Sequence, residues 1–147
     1  MEFSTQRRVR FSDCDPAGIV FFPQYLVMIN GQVEDWLHKD LGFAFRELLL
    51  RRRIGLPTVH LNVDFTAISH LDDELRISTQ TLRVGGRSIA LRHRILGLKD
   101  DPRATVEQVL VTTSFDTHAA VNLPTELREA ARKYLAAPAT HVTTPEP

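Results

Sequence analysis

Only one cysteine, Cys14, occurs in the chain, which excludes an internal disulfide framework and leaves no zinc-finger spacing. Neither charge is in excess: 18 Lys and Arg stand against 18 Asp and Glu. A nucleic-acid binder normally carries a basic surplus, so that class is disfavoured, while a local basic patch for a phosphorylated ligand is not. No apolar run reaches the ~18 residues of a membrane span, and Met1-Glu2-Phe3-Ser4-Thr5 has no apolar signal core. The expectation is a cytoplasmic protein with no membrane partner. Internal repeats and interior linkers are missing as well. A single domain over residues 1–136 is therefore expected, followed by a Pro- and Thr-rich tail at 137–147 read as flexible.

What is present is an ordinary globular composition, 43% hydrophobic over 147 residues, enough for a real core. Residues 5–12 alternate, Val9 and Phe11 against Arg8 and Arg10, as a half-buried strand does. From Pro23 to about Lys39 the apolar residues fall at spacings of three and four, the signature of a long helix. Gly31 interrupts it, and close packing on a sheet is the first explanation, room for a ligand the second. Residues 43–53 read as a short second helix whose basic end, Arg51 to Arg53, suits the helix dipole. Strands follow at about 57–67, 74–84, 87–97 and 104–116, and a last helix at 124–136. In the first of these, Val59, Leu61, Val63 and Phe65 share one face and His60, Asn62 and Asp64 the other. Gly85-Gly86 and Lys99-Asp100-Asp101-Pro102 are turn signals between consecutive strands, so the strands form an antiparallel meander. One long helix against such a sheet is α+β, and its open edges and uncovered face favour self-association.

The densest stretch is Phe11-Ser12-Asp13-Cys14-Asp15-Pro16-Ala17-Gly18-Ile19-Val20-Phe21-Phe22-Pro23-Gln24-Tyr25. Two acids precede a tight turn, an apolar run and then Pro23, whose fixed φ suits the first turn of a helix. An acid at a helix start lies near unpaired backbone N–H groups. From spacing alone, Asp15 reads first as a turn residue before proline or a helix cap, and second as a catalytic base. Asp13 reads as a structural acid bonding loop amides. Cys14 is a poor nucleophile candidate because flanking acids raise a thiol pKa and no histidine is near in sequence. No His/Cys cluster suggests a metal.

The Asp13–Val20 run with Pro23 and Tyr25 resembles the active-site loop of the hotdog-fold acyl-CoA thioesterases of the 4-hydroxybenzoyl-CoA thioesterase family. The strand Pro57 to Phe65, the acids Asp72-Asp73, and Arg87-Ser88 after the hairpin are similar to that family as well, over about residues 7–118. The resemblance implies a hotdog fold, one long helix wrapped by a curved antiparallel sheet of about five strands. It implies hydrolysis of an aryl- or short- to medium-chain acyl-CoA, with Asp15 as nucleophile or general base. The backbone N–H near Phe22 would polarise the thioester carbonyl. Tyr25 and Asn30 are candidate acyl contacts with packing as the alternative. His60 is a candidate acyl contact with a structural pairing across an interface as the favoured alternative, and Arg87 and Ser88 are candidate coenzyme A contacts. No metal or cofactor is implied, coenzyme A being part of the substrate, and the working unit would be a homodimer or homotetramer. Phe22 stands where the family commonly has tyrosine, and Asn30 where the 4-hydroxybenzoyl branch is expected to carry an acid. A non-catalytic acyl-CoA binder or structural oligomer on the same fold is the alternative.

Overall fold

A computed structural model describes residues 1–138, so most of the expected tail lies outside the described residues. The elements are β1 (Phe3–Arg8), α1 (Pro23–Asp35), β2 (Ile54–Gly55), β3 (Thr58–Phe65), β4 (Glu74–Val84), β5 (Ser88–Gly97), β6 (Pro102–Val111), β7 (Thr113–Ser114) and α2 (Thr125–Arg132). Helical turns with wider, π-type hydrogen bonding continue α1 over Trp36–Asp40 and occupy Glu47–Arg51, where the second helix was expected. No helix among the described residues is long and apolar enough to cross a membrane.

Five strands form one antiparallel sheet in the order β1-β4-β5-β6-β3. The meander β4-β5-β6 is its centre because short turns join its strands, and the two earlier strands take the edges. The period-2 rows meet the helical stripe of α1. Tyr25, Met28 and Ile29 pack with Leu75, Ile77, Ile95 and Val106 in one half of the core. Val33, Trp36 and Leu37 pack with Ile89, Leu91 and Leu127 in the other. Burying a Leu- or Ile-sized side chain contributes roughly 1.5–3 kcal/mol, so these rows dominate the sheet–helix attachment. The α+β architecture expected from the sequence is the one observed.

Four local expectations are corrected. The first strand ends at Arg8 rather than Ser12. Asp13 accepts the Arg10 N–H and donates its own N–H to Arg10 O, which turns the chain into a short 3-10 helix. Phe11 therefore points outward and is 84% exposed. Gly31 does not press on the sheet: it is exposed, and a Cβ there would meet nothing within 4 Å. The strand expected at 104–116 breaks at buried Thr112, whose N–H bonds Arg87 O at 2.9 Å, and β7 then pairs with β2 instead. In β3 the expected alternation holds only from His60 onward, because Val59 sits in a β-bulge, and neither face is buried, with Val59 61%, Leu61 42% and Phe65 51% exposed. That strand is a sheet edge with an uncovered apolar surface.

Candidate active site

Residues 13–21 fold back on themselves as a miniature hairpin. Phe21 N–H bonds Asp13 O, Cys14 pairs with Val20, and Asp15 N–H bonds Ile19 O. The turn itself is Asp15-Pro16-Ala17-Gly18, closed by Gly18 N–H to Asp15 O at 3.0 Å, with Gly18 at φ +76°, where only glycine is unstrained. Asp15 is half-buried, and its Oδ1 accepts the Ala17 N–H at 2.8 Å. That Asx-type bond fixes the carboxylate by one oxygen. No donor to Oδ2 is found among the described residues.

Asp13 holds this hairpin from beneath. It is 3% exposed, and its two oxygens take Arg7 Nη2 and the Arg10 N–H, each at 2.8 Å. The Arg7 partner comes from β1, so the loop is clamped to the sheet edge. Burial first, then the charges of Asp13, Asp15 and Asp72, push the Cys14 thiol up from its usual range. A thiolate nucleophile is disfavoured there.

Phe22 precedes α1. Pro23 has no N–H, Gln24 N–H bonds Phe21 O, and Tyr25 N–H bonds Phe22 O. For the Phe22 N–H no acceptor is found among the described residues. An unpaired donor at the positive end of a helix is suited to a developing oxyanion.

Beside it lies an apolar hollow of about 260 Å³, lined by Val20, Phe22, Tyr25, Phe65 and Ile68. The Phe22 and Phe65 rings meet edge to face at 6.1 Å. Tyr25 gives this hollow only its ring. Its hydroxyl hydrogen-bonds Ser69 Oγ at 2.9 Å, and Arg103 Nη1 donates to the same oxygen at 3.1 Å. Arg103 also binds Asp73 at 3.0 Å and Asp101 at 2.7 Å, strapping residues 68–73 behind the loop. The His70 N–H and then Arg103, against partial burial, hold the Asp73 carboxyl below the usual carboxylate range. Ser69 and Arg103 escape a sequence reading because Ser69 meets Tyr25 44 residues away and Arg103 34 residues away.

Asn30 lines a second hollow, of about 330 Å³, with Thr58, Gln108 and the apolar Leu26, Val27 and Leu61. It lies eight residues along α1 from Phe22, about 12 Å. A β-bulge between Thr58 and His60 breaks the period of β3, which puts Thr58 and Leu61 on the same hollow. His60 is exposed on the same strand and lines neither hollow. Gln108 was not anticipated. Its signal is a polar residue inside the buried row Ala104, Val106, Leu110.

Gln108 ends a chain of buried polar groups. His93 is fully buried, bonded to Thr79 Oγ1 through Nδ1 at 2.8 Å and to Gln108 Oε1 through Nε2 at 3.0 Å. Burial lowers its pKa to about 4, the Gln108 bond working the other way. The imidazole is neutral at pH 7.

Arg87 and Ser88 sit at the β4–β5 hairpin, the opposite end of β4 from the Asp15 loop. Eleven residues of strand separate them, about 30 Å, so one protomer does not bring them together with Asp15. Arg128 donates to Gly86 O at 3.0 Å beside them. Arg51, Arg52 and Arg53 are each paired with an acid: Glu47, Glu126 and Asp116 respectively. Among the described residues no group of three or more His, Cys, Asp or Glu side chains is placed to hold a metal ion.

Known proteins are similar to this chain in sequence and in fold. A 4-hydroxybenzoyl-CoA thioesterase of Pseudomonas sp. (strain CBS-3) is 34% identical over 91 residues, 61% of this chain and 64% of that protein. The chain thus spans a little under two thirds of that relative. A 1,4-dihydroxy-2-naphthoyl-CoA hydrolase of Synechococcus elongatus is 28% identical over 129 residues, 87% of this chain and 93% of that one. A solved gentisyl-coenzyme A thioesterase superposes with a TM-score of 0.78 at 28% identity, over 88% of this chain and 99% of its own. The family model of the thioesterase-like superfamily matches residues 9–131, from the end of β1 to within α2. With its long helix packed on a five-stranded antiparallel sheet, the chain has the hotdog fold and belongs to the thioesterase-like superfamily.

Proposed function

We propose that the protein hydrolyses acyl-CoA thioesters, with Asp15 as nucleophile or general base and the Phe22 N–H as the carbonyl-polarising donor. The observation that carries the reading is a half-held carboxylate and an unpaired N–H on one short hairpin that leads into α1. A thioester is already activated, because sulfur overlaps poorly with the carbonyl. It needs a base or nucleophile, one oxyanion donor and water, and no metal or organic cofactor. The acyl group fits an aryl class, since the relatives above are named for hydroxylated aromatic acyl groups.

The unit of function is a homo-oligomer in this reading. The exposed edge β3 and the exposed apolar residues Phe22 and Val27 of the helix side form a surface that a second copy would cover. Arg87 and Ser88, with Arg128 nearby, serve the phosphates of coenzyme A. These lie far from its sulfur, and the basic groups are supplied across copies or at the full reach of the ligand.

The test is thiol release from 4-hydroxybenzoyl-CoA, 1,4-dihydroxy-2-naphthoyl-CoA and straight-chain acyl-CoAs. Asp15→Asn is expected to lower kcat about 100- to 10,000-fold, the usual worth of a positioned base, with an unchanged circular dichroism spectrum. Full activity in that variant removes Asp15 from the mechanism. Binding of CoA esters with no thiol released from any of them favours a non-catalytic acyl-CoA binder.

A further inference from the structure

We infer that Thr58 and Gln108, held in one orientation by buried His93, form with Asn30 the hydrogen-bonding end of the acyl pocket and select acyl groups that carry an oxygen there. The inference rests on the thioesterase reading and adds to it which residues read the acyl group.

The argument is one of hydrogen-bond direction. Six polar side chains run across the sheet and helix: Thr5, Gln32, Thr79, His93, Gln108 and Thr58. The fixed point is Ile77 O, which lies 3.1 Å from the Gln32 amide nitrogen and can only accept. The Gln32 oxygen must then face Thr5, which donates to it at 2.6 Å. The second Gln32 N–H goes to Thr79 Oγ1 at 3.2 Å. The Thr79 hydroxyl has no other acceptor for its proton among the described residues, so it donates to His93 Nδ1, which places the imidazole proton on Nε2. Nε2–H meets the Gln108 oxygen, so the Gln108 amide nitrogen faces Thr58 Oγ1 at 2.7 Å. Each donor points the same way along the chain, from β1 toward β3. Thr58 accepts the last bond and keeps its own proton for the pocket. The hollow thus offers a hydroxyl donor and the Asn30 amide within apolar walls. A ring hydroxyl satisfies both, because its oxygen accepts from Thr58 and its proton is donated to Asn30. A hydrogen or methyl at that position leaves Thr58 and Asn30 unpaired in a dried pocket.

His93 and Thr79 act through Gln108 and are positioning residues. The buried chain costs apolar packing in the middle of the core, and a purely structural core would gain from replacing it.

The experiment compares kcat/KM for 4-hydroxybenzoyl-CoA against benzoyl-CoA, and for 1,4-dihydroxy-2-naphthoyl-CoA against 2-naphthoyl-CoA. The proteins are the wild type, Thr58→Val, Thr79→Val and Thr79→Ser. The wild type is expected to prefer the hydroxylated member of at least one pair. Thr58→Val lowers that preference roughly 3- to 10-fold, the worth of one net hydrogen bond. The loss falls in KM rather than kcat, because the contact is remote from the reacting carbonyl. Thr79→Val lowers the preference from the far side of His93, and Thr79→Ser retains it. A merely structural Thr79 would change stability without changing the ratio. Equal turnover of both members by the wild type, or an unaltered ratio in Thr58→Val, overturns the inference and leaves the thioesterase reading standing. Since Thr58 is exposed in the protomer, this variant decides the matter even if Thr79→Val fails to fold. Turnover of none of the four aryl esters overturns the inference, and the thioesterase reading falls with it only if straight-chain acyl-CoAs release no thiol either.

Discussion

Acid should destabilise this protein through His93 before its ordinary carboxylates begin to titrate. The imidazole is fully buried and its pKa is lowered from 6.5 to about 4. In the unfolded chain it titrates near 6.5. Between these values the unfolded state binds a proton that the folded state refuses, so stability rises with pH. The contribution is fully present above about pH 6.5 and is lost as pH falls toward 4. For those two pKa values the loss is about 2 kcal/mol at pH 5 and about 3 kcal/mol at pH 4. No ionisable side chain is among the hydrogen-bond partners of His93, so no neighbouring charge supports the imidazolium. The measurement is a series of urea unfolding curves at pH 7, 6, 5.5 and 5, at fixed protein concentration, on the wild type and His93→Gln. A glutamine amide can still accept from Thr79 and donate to Gln108. The variant should therefore fold, with a lower stability at pH 7 and a much flatter dependence between pH 6.5 and 5. A wild-type stability that is level over that window, or an equal fall in His93→Gln, refutes the reasoning.

Two further outcomes follow from single contacts. Asp13→Ala removes two charge-assisted hydrogen bonds and strands half-buried Arg7. It should cost about 2–4 kcal/mol in urea unfolding and lower kcat by loosening the turn that carries Asp15, while Asp13→Asn, which keeps an oxygen for the Arg10 N–H, should cost less. Leu61→Asp puts a charge on the apolar edge strand β3 and should shift the protein toward monomer in light scattering, with thiol release falling in parallel. An unchanged mass would remove β3 from the interface.

The elements and the loop are encoded locally. Strand rows such as Ile89, Leu91, His93, Ile95, the three-and-four spacing of α1, Pro23 at the helix start and Gly18 in the turn are local patterns. Periodicity and turn chemistry act within a few residues, so they can be read without the fold. The run from Asp13 to Tyr25 was legible for that reason. Where the sequence reading failed, the cause was a partner distant in the chain or an absent neighbour. Phe11 looked like a strand residue because alternation continued through it, but the Asp13 side chain on Arg10 ended the strand first. Gly31 looked like a packing glycine, yet its side of α1 faces open space. The separation of Arg87 and Ser88 from Asp15 by the length of β4 is likewise written in no local pattern. Only the tertiary structure decided these points, together with the direction of the chain from Ile77 O to Thr58. Hydrogen-bond direction is set by which donor meets which acceptor across five strands and a helix, and no spacing within one strand encodes it.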